Sequence, residues 1–195
     1  MTHRPYTPPA WQAKPLADGR VTLLVVPLKV QPFTVEGVVY TWTGKDSAFL
    51  CGPSEVSANL MKHGAAQYAP GDLIWCRETW AAWDGCPPAV FKATDDVDPY
   101  GGWKSPITMP KWAARTWLCC TGVEVRRVQT ITAYEAERVD NILSPQAEWG
   151  GLTHRFTFEV KWNRQHGPKP AVDLSFDANP WAAFIAVEKI SKEDV

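Results

Sequence analysis

Seven residues of this chain have the chemistry to hold a nucleotide-like ligand: Arg77, Glu78, Trp80, Trp103, Lys104, Lys111 and Arg115. Basic groups hold phosphates, indole faces stack on bases, and a carboxylate reads an exocyclic amine. Trp83, three residues past Trp80, belongs to the same set. The same residues also support a plain structural reading, in which Arg77 and Glu78 join buried ion pairs and the tryptophans pack the core. Both readings stand at the level of sequence. The adjacent Cys119 and Cys120 lie in an apolar run whose neighbours point to opposite faces, which suits packing rather than redox chemistry.

The bulk properties narrow the field. With 195 residues and 45% hydrophobic content, the chain suffices for one domain with insertions. A net charge of −1 argues against a protein that coats nucleic acid by bulk charge. Residues 101–130 are nevertheless basic, with Lys104, Lys111, Arg115, Arg126 and Arg127 against Glu124, while Asp95, Asp96 and Asp98 mark an acidic stretch before them. Five cysteines (Cys51, Cys76, Cys86, Cys119 and Cys120) contain no C-x-x-C pair, and the four histidines are scattered, so no metal site and no cofactor are expected. Met1–Pro15 is polar and proline-rich, unlike a signal peptide, and no run approaches the roughly 18 apolar residues of a membrane span. The expectation is a cytoplasmic protein with reduced thiols and no membrane partner.

The elements that must position these residues follow from periodicity and punctuation. Val21–Val30 is a β-branched run bounded by Gly19 and Pro32 and reads as a buried strand. Gly37–Trp42 is a second, weaker strand. Residues 43–70 lack a period and read as an insertion or long loop. Strands are expected over Leu73–Trp80, Ala89–Ala93, Thr116–Val128 and Trp181–Ile190, with a turn-rich acidic insertion near 94–105. Thr132 caps a short helix beginning at Ala133, and Leu152–His166 is compatible with another. Residues 1–195 therefore form a single α+β domain with a mixed, barrel-like sheet, short flanking helices and a long inserted loop.

Several segments carry a family resemblance in order and spacing. Pro70–Trp80 is similar to a P-G-D-x-L-W-V-R-E-T-W block, Gly102–Arg115 to W-[RK]-P-S-I-H-M-P-R-W-A-S-R, Val123–Gln129 to V-R-V-E-R-L-Q, and Ala178–Trp181 to a closing A-N-P-W segment. Together they resemble phage and prophage proteins of the ASCH group, a branch of the PUA-like β-barrels. The resemblance implies a PUA-like barrel encoded by a phage. It also implies a cleft for bases or nucleotides, and, in some relatives, amidohydrolase action on N4-acylcytidine or ribonuclease activity.

The segment Gly19–Lys29 departs from the relatives' G-R-K-T-x-T-R-R-P-x-K. Where they carry lysine this chain has Val21, where they carry the nucleophilic threonine it has Leu24, and their two arginines are Val25 and Val26. The assisting glutamate falls near Val139. Valine and leucine neither attack nor titrate, so the mechanism the resemblance implies has lost its residues. A displaced set would have to use Thr22 as nucleophile, Lys29 or Arg20 in place of the lysine, and Glu137 or Asp140 as the carboxylate; arginine makes a poor base.

Three function classes follow. The first is a non-catalytic ASCH-like module binding RNA, a modified base or a nucleotide. The second is a phage protein inhibiting a host nuclease or defence complex by protein contact, with Asp95–Asp98 imitating phosphates. The third is an N4-acylcytidine amidohydrolase or ribonuclease working through displaced residues.

Overall fold

Apolar residues at both parities of a strand demand cover on both faces, and Trp181–Ile190 shows this pattern most clearly. In a computed structural model, which describes residues 2–35, 38–42, 48–51, 67–85, 88–140, 154–168 and 172–194, this strand lies inside a mixed sheet. The elements run β1 (His3–Tyr6), α1 (Ala10–Ala17), β2 (Leu23–Pro27), β3 (Phe33–Val35), β4 (Val38–Trp42), β5 (Ala48–Cys51), β6 (Leu73–Cys76), β7 (Trp80–Ala82), β8 (Ala89–Phe91), β9 (Trp117–Arg127), α2 (Ala133–Asp140), α3 (His154–His166) and β10 (Trp181–Ile190). The main sheet has the order β1-β6-β9-β10-β2, parallel only between β1 and β6. β3-β4-β5 form a meander and β7-β8 a hairpin.

The mixed α+β class is therefore present. Among the described residues the main sheet is open, with β1 and β2 as its edges, and no closed barrel forms. Most of the insertion expected over 43–70 lies outside the described residues, apart from β5 and residues 67–70. No helix among the described residues is long and apolar enough to cross a membrane.

Two apolar layers sandwich the sheet. Ala183, Ile185 and Val187 of β10 join Leu16, Val21, Leu24, Ile74 and Leu118 on one face. Ala182 and Phe184 turn the other way, onto Ala136 and Val139 of α2 and Phe158 and Trp162 of α3. Thr132 caps α2 reciprocally: its hydroxyl accepts from the Glu135 N–H at 3.2 Å, and the Glu135 carboxylate accepts from the Thr132 N–H at 2.9 Å. A third cluster, at one end of the main sheet, joins Trp80, Ala89 and Phe91 of the hairpin to Met109, Ala113 and Ala114 and to Trp117 of β9.

One region carried no sequence expectation, and one expected strand is divided. The proline-rich start is ordered as β1 and α1, with Pro15 buried in the helix and Leu16 in the core. The expected single strand over Leu73–Trp80 breaks after Cys76. There the Arg77 N–H donates to the Tyr6 carbonyl and the Glu78 N–H to the Met109 sulfur, so the chain leaves the main sheet and starts the hairpin.

Asp72 fastens β1 to β6. Its buried carboxylate accepts from the Thr2 hydroxyl, from the Ala69 N–H at 3.1 Å and from Arg4 Nε at 2.9 Å. Burial alone would raise its pKa, but these donors outweigh burial and hold it below the ordinary 3.8. A folded-state pKa below the unfolded value gives stability that is full above the unfolded value and lost as pH falls through the folded one. Asp72→Asn should therefore melt lower than the parent at pH 7, by about 1–3 kcal/mol of stability. The gap between the two should narrow as pH falls below the ordinary 3.8 and through the lowered folded-state value; a gap that stayed constant on acidification would mean the carboxylate charge is not the fastening.

Candidate functional site

The positions that resemble the family's catalytic set are packed into the core. Val21 and Leu24 are 1% and 0% exposed, Val139 is buried against α3, and Val25 lies on the same inner layer as Val139. Val21 and Leu24 fill the interior, whereas Val25 and Val139 also line a small cavity together with Trp11, Gln12, Phe158 and Trp162. Thr22 lies just before β2, and its hydroxyl accepts from Arg138 Nε at 3.0 Å while Arg138 Nη2 donates to its carbonyl at 3.1 Å. That double contact ties the start of β2 to α2, and a guanidinium cannot take the hydroxyl proton. Glu137 is exposed on α2, Lys29 is exposed, Arg20 pairs with Asp18 at 2.8 Å, and Asp140 ends α2. Thr22 is thus taken up in a fastening contact and Arg20 in an ion pair, while Lys29 and Glu137 face solvent.

The buried thiols are inert. Burial pushes Cys120 up to about 11 and raises Cys76 as well, so neither carries a thiolate at neutral pH. Among the described residues no group of His, Cys, Asp and Glu has the arrangement of a metal site.

The basic and aromatic constellation is resolved residue by residue. Glu78 is buried and paired with Arg115, not with its neighbour Arg77: Arg115 Nε donates to Oε1 at 3.1 Å and Nη2 to Oε2 at 2.7 Å. Arg115 Nη1 donates to the Thr94 hydroxyl at 2.7 Å, and the guanidinium lies 4.1 Å from the centroid of the Phe91 ring. Arg77 lies over the Trp75 ring at 5.6 Å. Lys104 bridges Trp80 through the backbone and sets its ammonium 5.2 Å from that ring. Lys111 contacts His3 and lies over Trp117 at 5.3 Å. Trp103 is half-buried beside Lys104. The cations of this set therefore sit on the protein's own aromatic faces, an arrangement that stabilises the packing and leaves those faces covered.

One aromatic wall is left open. A groove of about 280 Å³ runs between Pro88, Ala89 and Phe91 of the hairpin and the turn Trp112–Arg115, with Lys192 of the C-terminal 3-10 turn at its side. Trp112 is 53% exposed; its ring meets Trp80 edge-on at 6.1 Å. Lys192 Nζ donates to the Trp112 carbonyl at 2.7 Å. Of the residues singled out from sequence, only Arg115 lines this groove. Phe91, Trp112 and Lys192 were not singled out. The available signal was Trp112 standing between Lys111 and Arg115; nothing in the sequence connects Phe91 or Lys192 to it.

Chemically, the groove offers an apolar floor, an indole wall and two cationic side chains. That suits a planar group carrying negative charge. Comparison with protein-family models, with curated proteins and with solved structures finds no match to this chain.

Proposed function

We propose that this protein is a binding module that takes one nucleotide unit, free or within single-stranded RNA and with a natural or modified base, in the groove beside Trp112. In this reading the scaffold is PUA-like, the reaction implied by the resemblance is absent, and the setting is a cytoplasm with reduced thiols. The observation that carries it is the exposed Trp112 ring beside Arg115 and Lys192 in a groove sized for one small ligand. Burial of Val21, Leu24 and Val139 supports the absence of the inherited chemistry.

Titration with short 5′-phosphorylated oligo(A) and oligo(U) tests the reading. Base–aromatic stacking contributes about 1–3 kcal/mol per base, so Trp112→Ala should weaken binding by about tenfold or more. The melting temperature should fall by only a few degrees while the fold persists, because the ring is half exposed and loses its edge-on contact with Trp80. The salt dependence should be shallow, as expected for one or two phosphate contacts. Undiminished binding by Trp112→Ala, or none by the parent, would sink the proposal.

Protein contact is the second reading. Tyr100 and Ile107 stand fully or largely exposed on the loop that also carries Asp95–Asp98, a surface that suits a basic partner protein with apolar pockets. A stoichiometric host protein captured without nucleic acid, and lost on Tyr100→Ser with Ile107→Ser, would favour it.

A further inference from the structure

The two cations of the Trp112 groove are not equivalent. Arg115 is held by both Glu78 oxygens and by Thr94, so three of a guanidinium's five N–H groups are occupied and its charge is opposed by a buried carboxylate. Lys192 is exposed and donates once, to the Trp112 carbonyl; among the described residues it forms no ion pair. An ammonium has three N–H groups, so two remain free together with the full charge. With Arg115 and Glu78 cancelling, the net positive charge of the groove comes from Lys192.

Resting on the nucleotide reading, we infer that Lys192 is the phosphate ligand of this groove, and that the favoured ligand is a terminal phosphomonoester: a nucleoside monophosphate or the phosphorylated end of a strand. The base lies against Trp112 and the phosphate takes the free N–H groups of Lys192, with the remaining N–H groups of Arg115 close by. A monoester carries about −1.5 to −2 at pH 7, against −1 for an internal diester, so a single unopposed ammonium favours the end of a chain over its middle. The space of about 280 Å³ also matches one unit better than a run of several. Because Lys192 belongs to the turn Lys192–Asp194, occupancy would hold that turn against the groove.

Calorimetric titration of the full chain with the four ribonucleoside 5′-monophosphates, their nucleosides and the dinucleotide ApA tests this. The parent should bind its preferred monophosphate about tenfold tighter than the matching nucleoside, the worth of one charge-assisted hydrogen bond. ApA, which has no terminal phosphate, should bind no tighter than adenosine. Lys192→Met should bring the ratio of monophosphate to nucleoside affinity down to about one, while Lys192→Arg should keep the parent's ratio. An advantage that survives Lys192→Met overturns the assignment of Lys192 but leaves the nucleotide reading intact. ApA binding as tightly as AMP overturns the terminal preference. No binding of any monophosphate or nucleoside overturns both the inference and the reading beneath it.

Discussion

Val21→Lys combined with Leu24→Thr, which restores the lysine and threonine that the resemblance implies, should unfold the protein instead of activating it. Val21 and Leu24 sit with Leu16, Ile74, Leu118 and Ile185 in the inner layer of the main sheet, and both are essentially inaccessible. A lysine there either buries an unpaired ammonium or gives up its proton; a pKa depressed by about 3–5 units corresponds to about 4–7 kcal/mol. Replacing Leu24 by Thr removes buried methyl groups and adds a hydroxyl without a partner, for about another 2–4 kcal/mol. The sum, about 6–11 kcal/mol, takes up most or all of the roughly 5–15 kcal/mol that holds a domain of this kind. Urea unfolding should show the transition lost or moved close to zero denaturant, and N4-acetylcytidine should not turn over. A variant that kept the parent's midpoint and deacylated N4-acetylcytidine would show that these positions open onto a cleft after all.

The consequence for the family likeness is specific. A catalytic lysine and threonine need water or substrate beside them, whereas this chain uses the same positions to fill space between β2 and its neighbours. Thr22 has a structural partner as well, since Arg138 donates to both its hydroxyl and its carbonyl. Val21 and Leu24 thus lie where neither water nor substrate has access.

Much of the fold was legible because it depends on local rules. The apolar run Trp181–Ile190 is β10 to the residue, Thr132 with Glu135 carries the signature of a helix start, and Thr116–Val128 brackets β9 within one residue at each end. The failures are also physical. No element was expected from the polar, proline-rich N-terminus, yet Pro15 sits inside α1, where burial of Ala13 and Leu16 outweighs the missing N–H. The break after Cys76 is set by acceptors on Tyr6 and Met109, which lie far away in the chain.

The site was less legible for a related reason. Tryptophan beside lysine in sequence suggests a base beside a phosphate, but Lys104 and Lys111 reach across to Trp80 and Trp117, rings belonging to other segments. The open groove is assembled from the hairpin, a short turn and the C-terminal turn, and no spacing rule links Phe91, Trp112 and Lys192. Composition signalled aromatic and basic residues in plenty; only tertiary structure says which rings remain uncovered.

The pair Arg115–Glu78 should respond asymmetrically to loss of one partner. The Glu78 side chain is 1% exposed, the Arg115 side chain 27%. Arg115→Ala leaves a carboxylate shut away from water and removes the cation packed on Phe91, so it should cost about 3–5 kcal/mol. Glu78→Gln leaves a guanidinium that retains Thr94 and can turn to solvent, for about 1–3 kcal/mol. Replacing both, as Arg115→Met with Glu78→Met, should be milder than Arg115→Ala alone, because no uncompensated charge is then buried. Midpoints from denaturant unfolding of the four proteins decide it; a larger loss for Glu78→Gln than for Arg115→Ala would mean that the carboxylate, and not the cation, is the exposed partner in solution. The asymmetry also governs how binding data should be interpreted. Arg115 is the groove residue most evident from sequence, yet its removal would abolish binding through the hairpin it anchors. Trp112 and Lys192, which carry little of the fold, are the positions at which a lost ligand reports on the groove itself.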